Sequence, residues 1–494
     1  MHPLRITPLC FACAFNIAAS PRSPAPTVGT DWPQGRHDAK NSAQVRFGSA
    51  EVGKLVRWEF HGSDRVWGYQ PGMTVWTSPA VALVGGRAAL VIGSYDHNIY
   101  SLDATTGVQL WRFTTGDSVY ANPVIWNDGE ETWVFATSTD RLVYALDAEL
   151  GSRKWIHSLE TFRPTLGGAR LSSPNVGIAN GKHTVFVGHW IWDRSLARSQ
   201  QEGGITALDA RTGEVIWRRL LGDNEITAPT YAQIGARHII AAGSANGTLH
   251  VLDANTGDVL WNKTELDAIR AAPAITSQEG GRVVYSSNAG IVRCLDVLSG
   301  DEVWSYQTGN WVTASPMIAD IDRRLVVVVG SYDRSLYALD LLTGVQVWRY
   351  FAEGGVYAAA ALALLPGQPL VLTSAWDHHL HAVDGRDGSK VWQVYTGRPL
   401  WDAIGLEHSN WASPIAVEIN GHWGVYSGSY DGVLRAFPLD DVVALRSERE
   451  RSNLIFWLSF PIALACVALF SIALTRQHRK HTLDLRAGSS RELP

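Results

Sequence analysis

Cysteine is scarce in this chain: four in 494 residues, at Cys10, Cys13, Cys294 and Cys466. Cys10 and Cys13 lie in an N-terminal apolar stretch and the other two are isolated, so no disulfide framework can be built and the fold must rest on packing. Cys13 is followed by Ala14, which rules out the haem-attachment pattern C-x-x-C-H. Neither Cys10 nor Cys13 has the leucine three positions upstream that a lipidated cysteine shows. Charge is also sparse. Charged residues make up 18% and the net charge is -5, which gives no basic surplus and no support for nucleic-acid binding. Helical periodicity of 3.6 is missing from the body of the chain, which excludes the helical repeat arrays.

What is abundant is tryptophan, 21 residues, and much of it is periodic. GSYDHNIYSLDATTGVQLW, from Gly93 to Trp111, recurs as GSANGTLHVLDANTGDVLW from Gly243 and GSYDRSLYALDLLTGVQVW from Gly330. Looser copies begin at Thr137 and Thr373. Each copy reads as two strands joined by a tight turn. Alternating apolar residues form the strands, and Asp103 and Gly107 bound the turn in the first copy. Asp accepts local backbone hydrogen bonds, and Gly takes the positive φ of a type I turn with a G1 bulge. The copies close on Trp111, Trp155, Trp217, Trp261, Trp304, Trp348 and Trp392, at spacings of 44, 62, 44, 43, 44 and 44. A period of about 44 residues holding four strand-sized segments is a propeller blade.

After Trp392, residues 413–439 supply three more strands but no fourth. GKLVRWEF, from Gly53 to Phe60, is an unpaired upstream strand with Trp58 in the repeat position. The expectation is an all-β fold: an eight-bladed β-propeller of four-stranded antiparallel blades, closed by this N-terminal strand so that the seam has no open edge. The eight tryptophans, Trp58 included, are read as structural, docking blade against blade. Burying one removes roughly 150–250 Å² from water. At about 25 cal/mol per Å² that is of order 4–6 kcal/mol as an upper bound.

Around residues 51–440, the propeller, the ends read differently. Residues 1–20 have a charged start at Arg5, an apolar run and small residues at its end, the pattern of a secretory signal peptide. Residues 21–50 are a Pro- and Ser-containing linker and lead-in segment. Residues 441–453 form a charged juxtamembrane collar. Residues 454–475 are 22 without a charge, long enough for a transmembrane helix. A basic tail, 476–494, follows. The N-terminal signal orients this arrangement: a single pass through the cytoplasmic membrane, propeller in the periplasm or extracellular space, tail in the cytoplasm.

The pattern G-S-x-D-x-x-[LI]-Y-[AS]-L-D-x-x-T-G-x-x-x-W resembles the PQQ-like propeller repeat, and DWPQGRHDAKNSA from Asp31 resembles that family's opening segment. The family includes the eight-bladed quinoprotein dehydrogenases and the propeller lipoprotein of the outer-membrane barrel-assembly machine. The resemblance implies the fold; it does not by itself imply the cofactor, because fold and site are separable. The adjacent Cys-Cys pair of many soluble alcohol dehydrogenases of the family is absent here.

Insertions interrupt the repeat at four places. Trp58 to Pro79, Trp155 to Pro174 and Trp392 to Pro414 are longer than the usual 12 residues, and blade 3 carries extra residues in HWIWDRSLARSQQEGG. In an up-and-down blade all four connections fall on one face, where long loops on a rigid scaffold usually carry function. Three positions before each inner-strand proline, or before Ala360 in blade 7, stand Trp76, Tyr120, Leu171, Ile226, Arg270, Thr313, Tyr357 and Trp411. The aromatics fall on blades 1, 2, 7 and 8, with Arg270 on blade 5 opposite. Trp76, Tyr120, Arg270, Tyr357 and Trp411 are therefore the candidate binding residues, for a protein partner or a small planar or anionic ligand. Tyr95, Tyr332, Trp376 and Tyr430, in the repeat turns, cluster nearby. No catalytic set is identified. Asp64, Asp402, Glu407 and Asn410 lie in long loops without metal-ligand spacing, and His379 with His381 lacks a third ligand. The leading expectation is a membrane-anchored, non-catalytic binding scaffold with no cofactor, no metal and no nucleic acid. The alternative is a membrane-bound dehydrogenase of alcohols or sugars using PQQ with calcium.

Overall fold

The structure is a computed structural model that describes residues 44–47, 58–61, 77–159, 169–191, 202–222, 225–396, 413–419, 421–428 and 433–439. Its strands number β1 to β34 in chain order. Eight sheets follow one another along the chain: blade 1 is β3–β6 (80–114), blade 2 β7–β10 (124–158), blade 3 β11–β15 (169–220) and blade 4 β16–β19 (230–264). Blade 5 is β20–β23 (274–307), blade 6 β24–β27 (317–351), blade 7 β28–β31 (361–395) and blade 8 starts with β32–β34 (415–438). Blade 3 carries one short extra strand, Ala169–Leu171, beside its second long strand.

The ring closes as the tryptophan count anticipates. Strand β2, Trp58–His61, lies antiparallel on β34, Val433–Pro438, with Trp58 opposite Ala436 and His61 opposite Val433. One strand is unanticipated. β1, Gln44–Phe47, pairs in parallel with β32, Ile415–Ile419, the innermost strand of blade 8. It also approaches the inner strands of blades 7 and 1, so it runs inside the axial channel. Part of the lead-in segment is thus built into the fold.

The core is a ring of blade interfaces. Separate apolar clusters join blades 1–2, 2–3, 3–4, 4–5, 5–6 and 6–7, and a larger one spans blades 7, 8 and 1. The last blade, assembled from both ends of the propeller segment, thus has the most extensive apolar seam. There Tyr426 of blade 8 donates its hydroxyl to the Ala104 carbonyl of blade 1, at 2.7 Å.

Six of the eight repeat tryptophans dock as expected; Trp392 packs against the blade 7–8–1 cluster, and the Trp58 side chain lies outside the described residues. The indole N–H of Trp111 donates to Ala148 O, Trp155 to Ala210 O, Trp217 to Ala254 O, Trp261 to Val297 O, Trp304 to Leu341 O and Trp348 to Gly385 O, at 2.7–3.0 Å. In every case the acceptor lies on the next blade, just after the Asp that opens its turn. The turn glycine has two duties. Gly344 has φ +70°, and a Cβ there would lie 2.7 Å from the Trp304 ring. The glycine therefore serves both the backbone conformation and the close approach of the neighbouring indole.

The aspartate of the G-S-x-D turn forms a second latch. Asp140 accepts from Gly116 N–H of the preceding blade and from its own blade's Tyr144 hydroxyl. Asp333 repeats this with Gly309 N–H at 2.8 Å and Tyr337 at 2.5 Å. Burial, then the Asp333 carboxylate, push the Tyr337 phenol up to about 12, so it stays a donor. Blade 7 substitutes His381 for the tyrosine: its Nε2 lies 3.0 Å from Asp377 Oδ1, and its Nδ1 lies 3.0 Å from the Tyr350 hydroxyl of blade 6. Blade 5 changes both partners. Ala289 stands where blades 1, 2, 6 and 7 have Asp, and Arg293 where blades 1, 2 and 6 have Tyr. Glu265, from the end of blade 4, supplies the missing carboxylate, accepting from Arg293 Nε at 2.7 Å and the Tyr285 hydroxyl at 2.5 Å.

Among the described residues no helix is long and apolar enough to cross a membrane. The signal, linker, collar, span and tail segments, 1–20, 21–43, 441–453, 454–475 and 476–494, lie outside the described residues.

Candidate ligand site at the mouth of the channel

Antiparallel blades put two kinds of connection on one face: the link from each outermost strand to the next innermost strand, and the turn between second and third strands. The structure ties these two connections together. The x residue of G-S-x-D donates its backbone N–H to the carbonyl of the incoming link: Thr139 to Ser118, Asn288 to Ala268, Tyr332 to Trp311, Trp376 to Gly355. Each of these blades thus presents a pair of adjacent variable positions, held by main chain, at the channel mouth. The Asp, Gly and Trp of the repeat maintain the scaffold, while these variable positions face the axis.

The variable positions enclose a cavity of about 780 Å³. Tyr95 and Tyr120 line it from blades 1 and 2, their ring centroids 6.4 Å apart. Trp311, Tyr332 and Tyr357 line it from blades 6 and 7. Tyr332 stands edge-on to Tyr357 at 3.7 Å, Tyr357 stacks on Trp376 at 3.8 Å, and Trp311 lies 5.5 Å from Tyr332. Between the two aromatic banks, Glu225 and Arg270 line the wall from blades 4 and 5, with Asn288 beside them.

Three of the five expected binding residues, Tyr120, Arg270 and Tyr357, are thus lining residues of one cavity. Trp76 and Trp411 lie outside the described residues, as do Tyr430 and most of the inserted loops. Two features were not anticipated. Trp311 is half exposed at the mouth and extends the aromatic bank to blade 6. It stands five positions before Pro316, two before Thr313, and its signal was an aromatic displaced by one strand repeat from the position compared. Secondly, Arg270 is not a lone cation: its Nη1 lies 3.4 Å from Glu225 Oε2. The acid was hidden because it comes from another blade, 45 residues upstream.

Among the described residues no three His, Cys, Asp or Glu side chains are placed to hold a metal ion. His379 and His381 are taken up by Asp377: His379 Nδ1 lies 2.6 Å from its carbonyl, and His381 Nε2 is on its carboxylate. Asp377 itself is opposed by burial, but hydrogen bonds from His381 and backbone N–H groups hold it below the usual carboxylate range. Cys294 is free and buried, and burial pushes its thiol up to about 12, so it is inert packing.

Solved structures similar to this chain include quinohemoprotein alcohol dehydrogenases and BamB. Quinohemoprotein alcohol dehydrogenase from Comamonas testosteroni is 15% identical, covering 83% of this chain and 80% of its own, with TM-score 0.61. The quinohemoprotein alcohol dehydrogenase ADHIIG from Pseudomonas putida HK5 is 13% identical, covering 82% and 80%, with TM-score 0.60. BamB from Moraxella catarrhalis is 17% identical, covering 77% of this chain and 97% of its own, with TM-score 0.50. Likeness at such identities establishes the fold alone. No curated protein sequence matches the chain. The family described as outer membrane protein assembly factor BamB matches residues 56–243, 201–350 and 245–400, most of the propeller and well over half of the chain. With eight blades, the tryptophan–glycine docking and this match together, the chain belongs to the PQQ-repeat propeller family of BamB.

Proposed function

We propose that this protein is a non-catalytic recognition module, tethered outside the cytoplasm by residues 454–475, that captures its partner or ligand at the mouth of the propeller. The observation carrying this reading is the division of labour in the repeat. Its regular positions hold the ring, and its variable positions converge on one aromatic-lined cavity of about 780 Å³. Aromatic anchors in a recessed centre are the usual carriers of binding energy.

The rival reading, a quinoprotein dehydrogenase, has the fold likeness to the two alcohol dehydrogenases in its favour. A quinone–calcium centre needs several oxygen ligands on the ion and a free carboxylate base. The one carboxylate of the described lining, Glu225, is paired with Arg270, so these residues do not fit that centre and no oxidation step is derived through it.

Replacing Trp76 and Trp411 together by Ala is expected to weaken capture by about 2 kcal/mol or more with the fold retained. Crosslinking from both faces of the full-length protein provides the decisive check. Attachment mainly through the opposite face would remove the mouth as the binding site. For the tether, a chain ending at 440 is expected to be soluble after signal cleavage. Continued need for detergent would instead point to an N-terminal anchor.

A further inference from the structure

We infer that the mouth cavity is a site for a neutral saccharide, an assignment that rests on the mouth being the binding face. The charge balance is the first ground. Glu225 and Arg270 are the only charged residues of the described lining, and they face each other at 3.4 Å. An anionic ligand approaching Arg270 meets Glu225 as well, so the described wall selects for a ligand without net charge. This replaces the anionic ligand expected from Arg270 alone.

The form of the lining is the second ground. A pyranose ring has a flat face of C–H groups and an edge of hydroxyls. Aromatic faces receive the first through C–H contacts with the ring. Two-pronged planar groups receive adjacent hydroxyls of the second. The cavity has both: aromatic banks on opposite walls, with Trp311 half exposed, and the guanidinium of Arg270, the carboxylate of Glu225 and the amide of Asn288 between them. Asn288, more than nine-tenths buried, adds its amide to the wall of the cavity.

Size suits a short oligosaccharide. The volume, about 780 Å³, falls in the roughly 300–1,000 Å³ range of small-molecule sites.

The test is titration of the full-length protein with neutral trisaccharides of glucose and N-acetylglucosamine, trigalacturonate, and a panel of uncharged and charged peptides. Calorimetry and tryptophan fluorescence are the readouts. Saturable binding of a neutral trisaccharide is expected, weakened about tenfold or more in Trp311→Ala and also in Asn288→Ala, and unchanged in Leu150→Ser on the opposite face. Trp311 is half exposed, so its variant keeps the experiment readable if the Asn288 variant does not fold. No neutral saccharide bound at millimolar concentration overturns the inference. Binding only of peptide or trigalacturonate, lost in Trp311→Ala, also overturns it but leaves the mouth as the binding face. Binding indifferent to both mouth variants removes the mouth reading as well.

Discussion

A single side chain in this fold acts through the blade next to it. Trp304 is packed between blades 5 and 6, stacked on Gly344 and bonded to the Leu341 carbonyl. Trp304→Ala is expected to cost about 3–5 kcal/mol by denaturant unfolding. Trp304→Phe keeps most of the apolar surface but orphans the carbonyl, and is expected to cost less. His189 gives a pH signature. It is fully buried in blade 3; burial, and then the charge of Arg218, lower its value from 6.5 to about 4. The unfolded chain takes up a proton in that window that the folded protein refuses. The stability contributed by neutral His189 is therefore complete above about pH 6.5 and is lost as pH falls toward 4, by up to about 3 kcal/mol. His189→Leu is expected to flatten that limb of the unfolding midpoint against pH. A limb of unchanged depth would show that the proton is taken up elsewhere.

The turns and latches are the units that determine how well adjacent blades hold. Gly344→Ala forces a Cβ into the Trp304 ring at a backbone conformation that disfavours it, and is expected to destabilise by roughly 1–3 kcal/mol. Blade 5 offers a sharper test, because Glu265 of blade 4 serves both Arg293 and Tyr285. Removing Glu265 alone takes one of two carboxylates from the half-buried Arg293, which keeps Glu302, and leaves the hydroxyl of the buried Tyr285 without its acceptor, so it is expected to destabilise. The double change Glu265→Gln with Arg293→Tyr restores a neutral pair. It is expected to be more stable than Glu265→Gln alone, and additivity in the double-mutant cycle would mean that the two are not coupled.

Over the whole molecule, closure is the deciding event. Strand β2 supplies the outer strand of blade 8, and the blade 7–8–1 seam is the largest apolar cluster. Deleting residues 53–60 leaves β34 an open edge. We expect a marked loss of stability and aggregation, seen by thermal unfolding with light scattering; melting like the intact protein would show that the ring does not depend on β2. The sequence alone determined the architecture, since a period of about 44 residues, alternation and a displaced Trp58 permit one economical solution: eight blades closed by the N-terminal strand. The docking role of the tryptophans was legible for the same reason, because each copy repeats the same local chemistry. The mouth was legible only in part. Tyr120, Arg270 and Tyr357 were found by counting back from the inner-strand prolines, a register that the repeat preserves. The pairing of Arg270 with Glu225, the inclusion of Trp311 and Asn288 in the same wall, and the placement of β1 in the channel were decided by the tertiary structure. These are contacts between links of different blades, or between chain ends and the ring. Their partners are set by curvature and closure, which bring distant residues together, and no local pattern records who will face whom across an axis.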